Sequence, residues 1–391
     1  MQPGITIAHA NELTRDAAAL RGDVAGFIAV VPRARWWKGA RRGDFCELAV
    51  EGLSEFARSP GRSYFDPVTQ RAVKAFFQNG GLTARIFGLC VESMDDLMCE
   101  DPFADLFIDL IERLRSEEDV ALLLMPALAY MPVEMGQRGR VVVRAQPVIE
   151  LLLSHCREMN NRFLILDAPR DLHDKMLMRW VSALREANEE TSAFGAIYYP
   201  WLMNGDEVFP PSGTMAGVFA KVENEHNPGG VRWPPANIVL EHVTHPAIAL
   251  SWRETGDYSE AGINPILVQN TRGVVVWGAR TLSRDPRWLH INARRITSFI
   301  AEQIRRDSEW VVFEHQRPEL WSIIERMVTA RLDAMWGAGL LTGDRAGNEY
   351  HVQCDAEVNP PEVRDAGQVH CRVMLKPIGT AEFVVVELRL G

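Results

Sequence analysis

Between Val24 and Leu202, short apolar runs alternate with longer amphipathic segments. The runs are "VAGFIAVV", "TARIFGLCV", "VALLLMP", "RFLILDAP" and "AFGAIYYPWL". Helical patterns lie between them, at Tyr64–Gly81 with Gly80 and Gly81 as its stop, then at Phe103–Arg115, Pro147–Asn160 and Leu172–Glu190. Apolar strands separated by helices predict a parallel or mixed sheet covered on both faces. The expected class is α/β.

The 391 residues are 47% apolar, enough for one large core or two to three smaller ones. A net charge of −10 argues against a nucleic-acid partner. No apolar run reaches the ~18 residues a membrane helix needs. The start, "MQPGITIAHANELTRD", lacks the basic and apolar stretches of a secretory signal, so a cytoplasmic protein is expected. Cys46, Cys90, Cys99, Cys156, Cys354 and Cys371 are scattered, with no C-x-x-C pair. They read as buried thiols in a reducing compartment rather than zinc ligands.

The ends differ from the middle. The first residues lack helical period, and "PGITIA" is a short β-prone run that reads as an arm. Phe209 to Gly273 is rich in Pro, Gly, Asn and His and reads as long connecting loops carrying short strands. Two amphipathic helices follow, Ile291–Arg306 and Glu319–Trp336, and then strands at "EYHVQCDA", "VHCRVMLKP" and "AEFVVVELRL". The last strand has little to blunt its edge. Such an edge either completes its own sheet or adds to a neighbour's.

Catalytic motifs are weak. The G-x-S-x-G elbow is absent, and Ser212 in "PPSGT" is the nearest lookalike, with prolines that favour an extended segment over a strand-turn-helix elbow. No glycine-rich phosphate loop follows a strand, and "WGAGLLTG" ends a helix. Asp167 stands at a strand end, where it reads as a cap for the following turn. His242 and His245 would need a helix to share a metal, and Pro246 opposes one. No catalytic, cofactor or metal residue is assigned. An α/β enzyme, a hydrolase or nucleotide-binding protein using Asp167 or Ser212, is the rival from another class.

An ordered series of motifs resembles the contractile tail sheath proteins of phages, tailocins and extracellular contractile injection systems. It comprises "VAGFIAVVPR", "AVKAFFQNGG" with "TARIFGL", "RFLILDAP", "AFGAIYYPWL", "PPSGTMAGVFAKVE" and "GVRWPPAN". "GINPI", "GVVVWGARTLS", "WLHINARR" and "GTAEFVVVELRL" complete it. The resemblance implies a subtilisin-like α/β core used as scaffold without protease chemistry, an α+β C-terminal domain lining a tube-shaped sheath, and extended terminal arms. It implies a subunit that polymerises helically around an inner tail tube protein, contacts baseplate and terminator or cap proteins, and contracts to drive the tube into a target. Such a subunit is made in the bacterial cytoplasm and ends in a phage tail or injection-system particle.

On that resemblance the chain divides into a linking arm (1–22), the sheath core (23–273), the inner domain (274–380) and a linking strand (381–391). Pro3, Gly4, Ile5, Ile7, Phe383, Val384, Val385, Val386 and Leu388 are the linking residues. Arg294, Arg295, Arg305 and Arg306, on the helix Asn292–Arg306, face the tube. Val274–Trp277 becomes a strand entering the inner domain, with a bend at Gly278. Thr281 or Ser283 then caps the next helix, and Arg280, Arg284 and Arg287 pair with carboxylates. The arm is shorter than in related sheaths and no large outer domain is inserted. A non-contracting or specialised sheath paralogue is therefore one alternative within the same machine, and a non-contracting baseplate or cap adaptor is another.

Overall fold

The computed structural model describes residues 21–98, 106–226, 230–314, 317–343, 349–379 and 383–390. The chain runs through β1 (Ala25–Pro32), β2 (Phe45–Val50), α1 (Leu53–Arg58), α2 (Pro67–Gln78), β3 (Ala84–Val91), α3 (Ile108–Ser116) and β4 (Leu122–Leu124). Then come β5 (Val133–Met135), β6 (Val141–Val143), α4 (Gln146–Met159), β7 (Phe163–Asp167), α5 (Asp174–Ala187), β8 (Gly195–Tyr199), β9 (Leu202–Asn204) and β10 (Glu207–Phe209). Next are α6 (Ser212–Glu225), β11 (Ile238–Val239), β12 (His245–Pro246), α7 (Trp252–Glu260), β13 (Ile263–Gln269) and β14 (Gly273–Val276). The last part holds α8 (Ile291–Asp307), α9 (Pro318–Gly337), β15 (Tyr350–Gln353), α10 (Pro361–Asp365), β16 (Val369–Leu375) and β17 (Val384–Leu390).

The expected α/β core is present. A nine-stranded sheet has the order β11-β14-β13-β8-β7-β4-β1-β3-β2. The strands from β13 to β3 run parallel, and antiparallel strands close both edges. Alternation along β1 supplies both faces. Ile28 and Val30 pack with Leu110, Leu152 and Trp180 from α3, α4 and α5, while Phe27, Ala29 and Val31 pack with Phe76 of α2 and Phe219 of α6. Helix α2 starts where the sequence signals it. Asp66 caps it by accepting from the Thr69 N–H at 2.8 Å, and Pro67 follows. The same carboxylate accepts from the Val30 N–H at 2.9 Å and ties the helix to β1.

Phe209–Gly273 is not mainly loop. It contains α6, α7, the sheet strand β13 and the short strands β11 and β12, and β14 begins at its last residue. Helix α6 escaped detection because it is buried nearly all round and so has no polar stripe. Its glycines have a packing reason. A Cβ on Gly213 would run into the Ala72 backbone, and one on Gly217 would sit 2.5 Å from the Phe76 carbonyl oxygen. Glycine lets α6 lie directly against α2. In β13, Asn264 and Pro265 interrupt the apolar run. Asn264 is nonetheless fully buried, its amide satisfied by the Ile197 and Arg280 carbonyls at 3.1 and 2.8 Å.

The boundary drawn at 273/274 also moves. Val274–Val276 pairs with β13 and β11 inside the core sheet rather than entering the next unit. That unit is a three-stranded antiparallel sheet, β15-β16-β17, covered by α8 and α9. Along β16, Val369, Cys371, Val373 and Leu375 face inward onto Ile300, Ile324 and Val328.

Candidate assembly site

Gly278 lies where β14 leaves the core sheet, and a Cβ there would meet Asn264 at 2.6 Å. Asn264 Oδ1 accepts from the Arg280 N–H at 2.7 Å and fixes the bend. Arg185, from α5, donates to the Leu282 carbonyl at 2.7 Å and the Ser283 carbonyl at 3.0 Å. Neither Asn264 nor Arg185 was singled out from sequence. The asparagine breaking the apolar run of "GINPI" was the one available signal. Capping falls to other groups than expected. Asp285 caps the short turn Pro286–Trp288, Ser283 accepts from the Asp285 N–H, and His290 precedes α8 with no side-chain cap. Arg284 and Arg287 do pair with carboxylates, Glu186 and Asp285, whereas Arg280 is engaged through its backbone.

The four arginines expected to face a tube separate into two pairs. Arg294 and Arg295 are only 6% and 7% exposed. The Arg294 guanidinium lies 4.5 Å from the Phe194 ring centroid and 4.2 Å from that of Trp288, and donates to Asn160 Oδ1 at 3.1 Å. Burial lowers it to about 9. Arg295 donates to the Gly22 carbonyl at 2.7 Å and meets Glu223 of α6 at 3.3 Å. Both side chains point into the seam between α8 and the core, so neither is available to a partner. Helix α8 is sandwiched, with eleven of its seventeen residues buried, and its first half has no free face.

Arg305 and Arg306 emerge at the far end. Arg305 makes a bidentate pair with Glu302 at 2.9 Å and reaches Glu118 and Glu309 at 3.6 Å, while Arg306 shares Glu302 at 2.9 Å. Their side chains stay 44% and 31% exposed.

The C-terminal strand pairs within its own chain. Val384 through Leu390 run antiparallel to β16, from Val384↔Leu375 to Leu390↔Val369. Val384, Leu388 and Leu390 are buried, while Phe383 and Val385 are exposed. The strand set aside as a linker at 381–391 therefore finishes its own sheet, because its alternation supplies one apolar face to the core under α8 and α9. Among the described residues it remains an outer strand. Pro3, Gly4, Ile5 and Ile7 lie outside the described residues.

The catalytic candidates are structural. A strand, turn and helix do surround Ser212, contrary to the extended segment expected, but Ser212 is fully buried. Its backbone N–H donates to Asp167 Oδ1 at 2.6 Å. Asp167 thus anchors the start of α6, not its own turn, by accepting one of the N–H groups that a helix N-terminus leaves unpaired. Burial pushes this carboxyl up to about 7, and hydrogen bonding from Ser212 works in the other direction. His242 has a positive φ, and His245 pairs with Met203 across β9 and β12, so they share no helix. Among the described residues no cluster of His, Cys, Asp and Glu could hold a metal ion, and no helix is long and apolar enough to cross a membrane.

Residues 283–391 match the family described as the phage tail sheath C-terminal domain. No curated protein matches the chain. Among solved structures the chain is similar to one from the anti-feeding prophage baseplate, at 23% identity and TM-score 0.68, covering 99% of this chain and 98% of that one. It is similar to the sheath of the extracellular contractile injection system PVC in its contracted state, at 22% identity and TM-score 0.69, covering 99% and 96%. It is also similar to a sheath tail protein from Desulfitobacterium hafniense, at 9% identity and TM-score 0.62, covering 99% and 100%. The resemblance read from the motif series is borne out, and these likenesses establish a sheath fold.

Proposed function

We propose that this chain is a structural subunit of a contractile tail sheath, polymerising helically around an inner tail tube and contracting to drive it into a target. The observation that carries the reading is a sheath C-terminal domain at 283–391 in a chain with the sheath fold along nearly its whole length. The subunit works without catalytic residues, metal or cofactor. Its partners are further copies of itself, the inner tube protein, and baseplate and terminator or cap proteins. It is made in the cytoplasm and then becomes part of a particle. Tube contact falls to Arg305 and Arg306, and the free edge of β17 is a linking surface between subunits.

The likeness to a baseplate chain favours a second reading, a sheath-type subunit seated at or beside the baseplate. Electron microscopy of the purified chain, alone and with its tube protein, tests both. Helical tubes support the sheath and discrete rings support the baseplate position. Monomers under both conditions contradict the two alike.

A further inference from the structure

Cys354, one residue past the end of β15, lies beside Cys371 of β16, the two thiols within hydrogen-bonding reach. The register pairs Gln353 with Arg372, so the next pair along is Cys354 with Cys371. The hydrogen-bond pattern fixes what kind of pair it is. Lys376 N–H donates to the Glu349 carbonyl at 2.9 Å. His370 N–H donates to Asn359 Oδ1 at 2.7 Å, and the His370 carbonyl accepts from Asn359 Nδ2 at 2.9 Å. Even-numbered residues of β16 therefore turn their backbone groups toward β15, and Cys371 sits in a non-hydrogen-bonded position. Such pairs bring their Cα atoms to about 4.5 Å, at the short end of the roughly 4.4–6.8 Å range that disulfides span. Both thiols are buried, at 3% and 1% exposure. The Cys354 thiol beside it, with burial added, pushes the Cys371 thiol well above the usual thiol range.

We propose that this pair is an oxidative modification site, closing to a disulfide when the protein meets a peroxide. The inference does not depend on the sheath reading. Cys354 is the attacking thiol, because Cys371 is the more deeply buried of the two, and burial disfavours the thiolate that attacks. Its sulfur attacks one peroxide oxygen, forming a sulfenic acid and releasing water. The Cys371 sulfur then displaces the hydroxyl as a second water, so two thiols and one hydrogen peroxide give one disulfide and two waters. The disulfide would lock the end of β15 onto β16, and reduction by a thiol would release it.

The test uses the full-length protein with hydrogen peroxide, alkylation of remaining thiols, and non-reducing trypsin digestion with mass spectrometry. Arg364 lies between the two cysteines, on an exposed segment, so digestion separates them unless a disulfide holds the peptides together. The expected result is a Cys354–Cys371 peptide pair, two hydrogens lighter than the separate peptides together, lost on dithiothreitol treatment and absent from Cys371→Ala. The half-buried Cys46 is the internal control for oxidant access. Recovery of Cys354 and Cys371 as alkylated thiols or sulfinic acids, under conditions that oxidise Cys46, overturns the proposal. Pairing of either with another cysteine overturns it as well.

Discussion

Glu223 and Arg295 meet at 3.3 Å with side chains 8% and 7% exposed, and join α6 of the core to α8 of the C-terminal unit. Burial pushes the carboxyl up and the guanidinium down, and the attraction between them only partly offsets this. The pair is costly to form and costlier to break. Glu223→Ala strands a buried cation and should destabilise the protein by about 3–5 kcal/mol. The double replacement Glu223→Leu with Arg295→Met should cost less than the single change. Urea unfolding of the three proteins decides it, and a single variant close to wild type removes the pair from the joint's stability.

Asp167 gives stability a pH dependence of a particular sign. Its folded value is near 7, and its unfolded value is about 3.9. Below the unfolded value both states hold the proton. Between the two only the folded state does, so this contribution is lost as pH rises toward 7. The roughly three-unit gap amounts to ~4 kcal/mol. Asp167→Asn keeps an acceptor for the Ser212 N–H and should flatten that slope. Urea midpoints at acid and neutral pH measure it, and an unchanged slope in the variant places the titration elsewhere.

Two helical glycines should respond oppositely to alanine. Gly213→Ala drives a methyl into the Ala72 backbone and should cost about 1–3 kcal/mol or prevent folding. Gly256 in α7 has open space where a Cβ would go, so Gly256→Ala should stabilise by about 0.5–1 kcal/mol. Thermal unfolding separates them.

The C-terminal strand's place in the fold and its proposed linking role can be separated by mutation. Deleting residues 383–391 removes Val384, Leu388 and Leu390 from the core, each worth about 1.5–3 kcal/mol. The C-terminal unit should then unfold in the monomer. In β17 the even-numbered residues bond to β16, so the Glu387 N–H points to the open edge. Glu387→Pro should therefore leave circular dichroism nearly unchanged while abolishing tubes, since proline is tolerated on strand edges but donates no hydrogen bond. Normal tubes from this variant would remove the edge from subunit linkage.

Charge reversal distinguishes the two arginine pairs. Arg305→Glu with Arg306→Glu, combined with Glu302→Gln so that no buried carboxylate is stranded, should keep the fold and weaken tube co-assembly in a salt-dependent way. Arg294→Glu should instead destabilise the monomer, because it puts a carboxylate between Phe194 and Trp288. Unimpaired co-assembly after the double reversal takes the end of α8 out of the tube contact.

The sequence by itself determined the layered α/β core, both C-terminal helices and the three last strands, because period and apolar content are local properties of the chain. It also carried the motif series that pointed to a sheath. Helix α6 was not legible, since a helix buried on every side shows no polar stripe, and its glycines gain meaning only against α2. Arg294 and Arg295 look like surface cations in sequence. The packing of α8 between two layers put them inside, where Phe194 and Glu223, far away in the chain, and the neighbouring Trp288 receive them. The pairing of Cys354 with Cys371 and the cis pairing of Val384–Leu390 were likewise tertiary decisions. A strand's alternation fixes which face it buries, but its hydrogen-bond partner depends on which edge folding brings alongside.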